Sequence, residues 1–312
     1  MAYHNPVMLS ESVEALAIHP AGIYVDVTFG GGGHSAEILK HLETGKLYSF
    51  DQDSDAEAQS EKLEGPNFQF VKANFRHLKK FLRLYGVKQV DGILADLGVS
   101  SHQFNTAERG FSTRFEGPLD MRMDTDAPLS AKEIIATYSE EQLHKIFGMY
   151  GEVKNAKTLA QNIVAARNGQ EINTIAEFKK AIAGCTPKGK ENKYLAQVFQ
   201  ALRIEANDEM KALEEMLLQA AEVLKPGGRL VVISYHSLED RLVKNFIQKG
   251  KFHGDVEKDF FGNEIKPLEA VVRKALTPSA EELLENNRSR SAKLRIATKT
   301  GELKFDEKSK KR

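Results

Sequence analysis

The sequence predicts an α/β fold: a parallel sheet that is interrupted by an all-helical insertion and then resumes. Three observations carry this expectation. Strand-like and helix-like runs alternate at short spacing between residues 23 and 98. No convincing strand follows from about 105 to 195. An all-apolar run, "LVVIS" (230–234), then restores the strand pattern. Short alternation implies βαβ units with helices on both faces of the sheet. A chain of 312 residues is long for one compact domain and comfortable for two. The expected division is an α/β domain over 1–104 and 197–312, with the insertion over 105–196.

The elements follow from composition and spacing. "IYVDVTF" (23–29) is β-branched and aromatic and ends in glycine, so it reads as a buried strand. "HSAEILKHL" places Ile38, Leu39 and Leu42 on one helical face. "KLYSFD" (46–51), "FQFVKA" (68–73) and "VDGILADLG" (90–98) are the next strands. Between them lie a polar helix capped at Ser54 and a helix carrying Phe75, Leu78, Leu82 and Tyr85 that stops at Gly86. Within the insertion, 130–151 reads as helix, as do "NAKTLAQNIVAARNG" and "IAEFKKAIAG". Residues 193–224 form one long or broken helix ending at the turn "KPGGR". A helix follows "LVVIS"; "AVVRKA" and "KLRIAT" are late strand candidates, and "KFDEKSKKR" is a frayed tail.

Composition narrows the class. Hydrophobic residues make up 41% and charged residues 28%, as in ordinary soluble proteins. Lys+Arg and Asp+Glu both number 44, so affinity for nucleic acid has to come from a local patch. Cys185 is the only cysteine, which excludes an internal disulfide. The histidines are scattered, and no grouping predicts a metal. The first residues lack a basic and an apolar signal region, and no run is long enough to span a bilayer. The expectation is a cytoplasmic protein with no membrane partner. A homodimer is compatible with the sequence, which does not fix the oligomeric state.

The segment "YVDVTFGGGGHSAEIL" (24–39) sets four glycines between a strand and a helix. In a doubly wound sheet that turn lies at the carboxyl edge, where ligands bind. A phosphate-binding loop needs Lys and Ser/Thr after its last glycine, whereas His34 and Ser35 follow Gly33 here. The dinucleotide pattern matches only in part, because Ser35 takes its last position. S-adenosylmethionine carries no phosphate, and a glycine run without Lys or Arg suits it best. Asp51, about twenty residues on, can accept both ribose hydroxyls of a nucleoside cofactor. Asn74 is placed to bond adenine and Phe75 to lie against it. Tight strand–helix packing is the plainer explanation of the glycines, and a helix N-cap that of the acidic residue.

"ADLGVSSHQF" (95–104) ends the fourth strand, expected beside the first. Asp96 then faces the cofactor's methyl group. Amino-group methyltransferases place Asp, Asn or Ser there, followed by Pro-Pro-aromatic; here Leu-Gly-Val follows, so the aromatic platform is missing. Together "HNPVML", "DVTFGGGGHS", "DLGVSS", "AERGFS", "GPLDMRMD", "FQALRI", "SYHSLEDR" and "RSRSAKLRIA" resemble the bacterial 16S rRNA (cytosine-N4)-methyltransferases, the RsmH or MraW family. The resemblance runs in order from about residue 4 to 298. It implies a Rossmann-like class I methyltransferase sheet and S-adenosylmethionine as cofactor. The implied reaction is methylation of the N4 amino group of a decoding-centre cytidine, position 1402 of the 16S rRNA, in the small ribosomal subunit. Carried over, the cofactor contacts fall on Gly32, Gly33, His34, Asp51, Phe75, Asp96 and Gln103. Gly31 stands where many relatives have arginine, and His102 where many have proline.

The cytosine amino lone pair is delocalised into the ring. An acceptor for its N–H groups, Asp96 or carbonyls near Leu97 and Gly98, can free it. After transfer the nitrogen is acidic, so in-line positioning can carry most of the catalysis. Asp96 and His236 are the expected catalytic residues. Tyr235, Phe104, Phe111 and Arg122 are candidates for the substrate; Ser237 is the expected helix cap beside His236. Arg122 sits in "GPLDMRMD", which reads equally as a lid, an RNA contact or a surface ion-pair loop. Residues 151–195 hold eight Lys/Arg against four Asp/Glu, an edge suited to RNA phosphates. The target base has to be unpaired or flipped. Two rivals stay open: an NAD-binding oxidoreductase, and an RNA-binding assembly factor without activity.

Overall fold

The computed structural model describes residues 6–63 and 65–301. The tail expected to fray, and His4 of "HNPVML", lie outside these residues. The chain divides into two compact units, Met1–Gly98 with Ala212–Arg312, and Val99–Lys211.

In the first unit, α1 (Leu9–Ala15) precedes β1 (Ile23–Asp26), α2 (Gly33–Lys40), β2 (Lys46–Asp51), α3 (Ser54–Ser60), β3 (Phe68–Lys72), α4 (Leu78–Leu84) and β4 (Val90–Asp96). The second unit carries α5 (Ser101–Asn105), α6 (Ala131–Thr137), α7 (Glu140–Met149), α8 (Ala156–Arg167), α9 (Ile175–Ile182) and α10 (Glu191–Ala206). After α11 (Glu209–Val223) come β5 (Leu224–Ser234), α12 (Ser237–Lys249), the hairpin β6 (Glu257–Lys258) and β7 (Glu264–Ile265), β8 (Leu268–Ala270), α13 (Ala280–Glu285) and β9 (Lys293–Lys299).

Seven strands form one Rossmann-like sheet in the order β3-β2-β1-β4-β5-β9-β8. β1 pairs in parallel with both β2 and β4, so the chain reverses direction across the sheet between them. β9 is antiparallel to β5. Val25, Ile93, Leu94, Val231 and Ile233 are fully buried, as near-continuous apolar runs require when helices cover both faces. Residues 225–228 loop out of β5, because Leu224 pairs with Val90 and Arg229 already pairs with Gly92.

The helical unit has its own core of Ile134, Leu143, Phe147, Leu159, Phe178 and Leu202. It takes in more chain than the expected 105–196. Val198, Phe199 and Leu202 of α10 pack into that core and draw the boundary past residue 196. The single helix read over 130–151 is two helices. Ser130 with Glu133, and Ser139 with Gln142, each close a capping box, so a new helix starts at Glu140. The run 193–224 breaks at Asn207–Asp208. Asn207 bonds the Met121 carbonyl and the Met123 amide, and Asp208 turns to φ 49°. The strand is Leu268–Ala270, so only the first residue of "AVVRKA" belongs to it, whereas "KLRIAT" is β9. The cap of α3 is Asp53, which accepts the Asp55 amide, not Ser54. Among the described residues no helix is long and apolar enough to cross a membrane.

Candidate active site

Strands β1, β2 and β4 end in Asp26, Asp51 and Asp96, so parallel pairing brings three carboxyls to one edge. Asp26 is 1% exposed. It accepts the Ser35 hydroxyl at 2.7 Å and the Thr28 amide at 3.0 Å, and Ser35 contacts the Ser49 hydroxyl at 2.8 Å. Burial pushes its carboxyl above the usual range, against the lowering effect of His34 and of these hydrogen bonds. The sequence reading missed Asp26 and Thr28; the signal was a polar Asp-x-Thr closing an otherwise apolar strand.

Asp51 lies where expected. One oxygen accepts the Gly30 amide at 2.8 Å and the other the Asp53 amide at 2.9 Å. Each oxygen retains a lone pair for a further donor. Burial raises this carboxyl to about 6, although both amide bonds lower it.

The glycines answer partly to the chain itself. A Cβ on Gly33 would fall 2.2 Å from Pro6 Cγ, and one on Gly32, at φ +80°, would fall 2.7 Å from the Phe29 ring. The tight packing therefore comes from Pro6 and Phe29. Gly30 also sits at positive φ, 52°. His34 opens α2, is buried, and its Nε2 lies 3.2 Å from the Val7 carbonyl.

Asp96 keeps 22% of its side chain exposed. Its amide donates to Thr28 Oγ1 at 2.6 Å, tying β4 to the glycine loop. Oδ1 accepts the Tyr235 hydroxyl at 2.7 Å, and Oδ2 lies 3.8 Å from His34 Nδ1. Burial raises the Asp96 carboxyl to about 6; His34 and the Tyr235 bond pull it down, and Asp26 and Glu239 push it up. Burial, with the Asp96 charge, drives the Tyr235 hydroxyl well above its ordinary value. The Tyr235 ring lies against Gly98, whose φ of +99° favours glycine.

Other expected residues take different places. His236, not Ser237, is the N-cap of α12: its Nδ1 accepts the Glu239 amide at 3.4 Å. Its ring is 8% exposed and its Nε2 lies 3.1 Å from Glu239. The ring therefore caps the helix through Nδ1. Glu239, also missed, accepts the Tyr235 amide at 2.8 Å. Asn74 Oδ1 accepts the Arg76 amide as a cap, and its Nδ2 donates to the Gln52 side chain. Phe75 is half-buried just after β3.

In the helical unit, Gln103 is buried and closes a capping box with Ser100. Phe111 is buried in the core, with Arg109 over its ring at 5.9 Å, which removes it as a platform for a base. Phe104 packs half-buried against the same core, with Arg114 over it at 5.7 Å. Arg122 binds Asp120 through two nitrogens, at 2.9 and 2.7 Å, and the Ala127 carbonyl at 2.7 Å. It therefore braces its own loop.

A nucleoside carrying positive charge fits the first unit's edge. Asp51 has lone pairs for a diol, the partly exposed carboxyl of Asp96 suits a cation, and residues 27–35 hold no Lys or Arg to repel one. Strand order and edge chemistry together define a class I methyltransferase domain, whose cofactor is S-adenosylmethionine. The chain belongs to the MraW methylase family, whose profile matches residues 1–300. It is 62% identical over 295 residues to the ribosomal RNA small subunit methyltransferase H of Cytophaga hutchinsonii, covering 95% of this chain and 99% of that protein. It is 58% identical over 300 residues to the protein of that name from Bacteroides thetaiotaomicron, covering 96% and 98%. The Amoebophilus asiaticus protein of that name is 54% identical over 298 residues, covering 96% of each chain.

Proposed function

We propose that this protein methylates the N4 amino group of the decoding-centre cytidine of 16S rRNA, acting on the small ribosomal subunit in the cytoplasm. The observation that carries the reading is Asp96: a carboxylate at the end of the strand beside β1, with one oxygen held by Tyr235 and the other outside that bond. The names of relatives at 54–62% identity support the RNA substrate.

Bound S-adenosylmethionine supplies a methyl group on a positive sulfur. Asp51 would accept its ribose hydroxyls, and Gly32, Gly33, His34 and Phe75 are the other residues of this unit that would hold it. Asp96 accepts an N–H of the cytosine amino group, which draws the nitrogen lone pair out of the ring. The methylated nitrogen then releases its proton to Asp96 or to water. The acceptor costs little reorganisation because the chain already fixes it.

RNA affinity is assigned to the helical unit. Arg167 bonds the Ile135 and Tyr138 carbonyls and Lys179 the Thr113 carbonyl, so both belong to the scaffold. Lys154, Lys157, Lys180, Lys188, Lys190 and Lys193 are exposed and available to phosphates. The test is mass spectrometry of 16S rRNA from a strain lacking this protein, with tritium transfer from labelled cofactor to its small subunits. A decoding-centre cytidine that keeps its N4 methyl group in that strain rejects the reading.

A further inference from the structure

We infer that Tyr235 is a positioning residue for methyl transfer: its hydroxyl occupies Asp96 Oδ1 and leaves Oδ2 as the oxygen that receives the substrate amino group. The inference rests on the proposed function and deepens it. Asp96 and Tyr235 come from the ends of β4 and β5, neighbours in the sheet, and meet at 2.7 Å. Both partners are fixed from behind. The Asp96 amide is held by Thr28, the Tyr235 amide by Glu239, and the Tyr235 ring lies beside Gly98, 3.4 Å from where a Cβ on that residue would stand. A hydroxyl anchored this way restricts rotation of the carboxylate and favours its charged form.

The groups facing Asp96 are His34 on α2, Asp26 on β1, Glu239 on α12 and Tyr235 itself; Glu282 on α13 also acts on Tyr235. Asp26 and Glu239 oppose ionisation of Asp96. The Tyr235 bond and His34 favour it, and Tyr235→Phe removes one of these two while keeping the ring on Gly98.

The experiment follows the Asp96 carboxyl carbon by NMR in aspartate-labelled protein, its signal assigned with Asp96→Asn. In parallel, the pH profile of kcat is measured with small ribosomal subunits and saturating S-adenosylmethionine. For Tyr235→Phe the Asp96 midpoint and the acid limb of kcat both move up by about one pH unit, the size of one charge-assisted hydrogen bond. The alkaline plateau of kcat falls as well, because the carboxylate is no longer held in place, and cofactor affinity stays within about twofold. A ring-fluorinated tyrosine at 235 keeps the shape but donates more strongly, so it moves both midpoints down. Profiles parallel to wild type, or an unmoved Asp96 midpoint in both variants, overturn the inference. Wild-type protein that transfers no methyl at any pH overturns the functional reading instead, and the NMR arm still decides the Tyr235 bond.

Discussion

Asp51 holds the Gly30 amide at 2.8 Å, so the carboxylate read as a ribose acceptor also sets the conformation of the glycine loop. Asp51→Ala removes both. The expected result is a loss of S-adenosylmethionine affinity of about 10- to 100-fold, the range for hydrogen bonds to a charged group. Titration calorimetry measures it. Affinity within twofold of wild type would remove Asp51 from the cofactor site.

Asp96→Ala takes away the acceptor and leaves the loops in place, since Thr28 bonds the main-chain amide of residue 96. Methyl transfer should fall by about 100-fold or more, as when one preorganised polar group is deleted from an active site. The thermal midpoint should stay close to wild type, because the variant loses one hydrogen bond and also a desolvated charge. A folded variant with near-normal turnover rules Asp96 out.

The glycines separate packing from permissiveness. Gly33→Ala drives a Cβ to within 2.2 Å of Pro6 Cγ and should cost about 1–3 kcal/mol, the range for overpacking. Gly148 lies inside α7 with nothing within 4 Å of a Cβ. Gly148→Ala should stabilise by about 0.5–1 kcal/mol through helix propensity alone. Denaturant titrations of the two variants give opposite signs if the loop packs as described.

Asp51 and Asp96 were legible because each closes a strand-like run, and the local pattern suffices for that. The Tyr235–Asp96 bond was not, since 139 residues separate the partners and only the β4–β5 pairing joins them. The helix break at Tyr138 was legible but overlooked: Ser139 with Gln142 is a capping pattern inside an apolar periodicity. Ser237 looked like a cap by residue type. The chain instead enters the helix one residue earlier, where the His236 ring reaches the Glu239 amide. Phe111 and Arg122 resembled site residues because an aromatic ring or a guanidinium reads the same in a core or a loop brace as in a pocket.

Charge reversal tests the RNA-facing lysines. Lys188 and Lys190 are exposed on the segment leading into α10. Lys188→Glu with Lys190→Glu should weaken binding to small subunits and flatten its salt dependence, by roughly one unit of log–log slope for each phosphate that is no longer neutralised. An unchanged slope in filter binding across salt concentrations places the RNA-binding face elsewhere.

The raised carboxyls give stability and activity opposite pH trends. Unfolded aspartates titrate near 3.9, whereas burial holds Asp51 and Asp96 at about 6. Between those values the folded state carries more protons than the unfolded chain, so this contribution to stability is present below about pH 4 and is lost as pH rises through about 6. Methyl transfer needs ionised Asp96 and should decline over the same window as pH falls. Asp240 and Asp259 are shifted downward and oppose the stability trend, so the measurement is a difference. Wild type is compared with the double variant Asp51→Asn, Asp96→Asn by denaturant titration between about pH 4.5 and pH 8. Hydrogen bonds removed in the variant shift the difference by a constant, and the slope isolates the two carboxyls. The variant should gain on wild type as pH rises, on the order of 1.4 kcal/mol per unit of pKa shift for each carboxyl. A flat difference across the window means that neither carboxyl is desolvated.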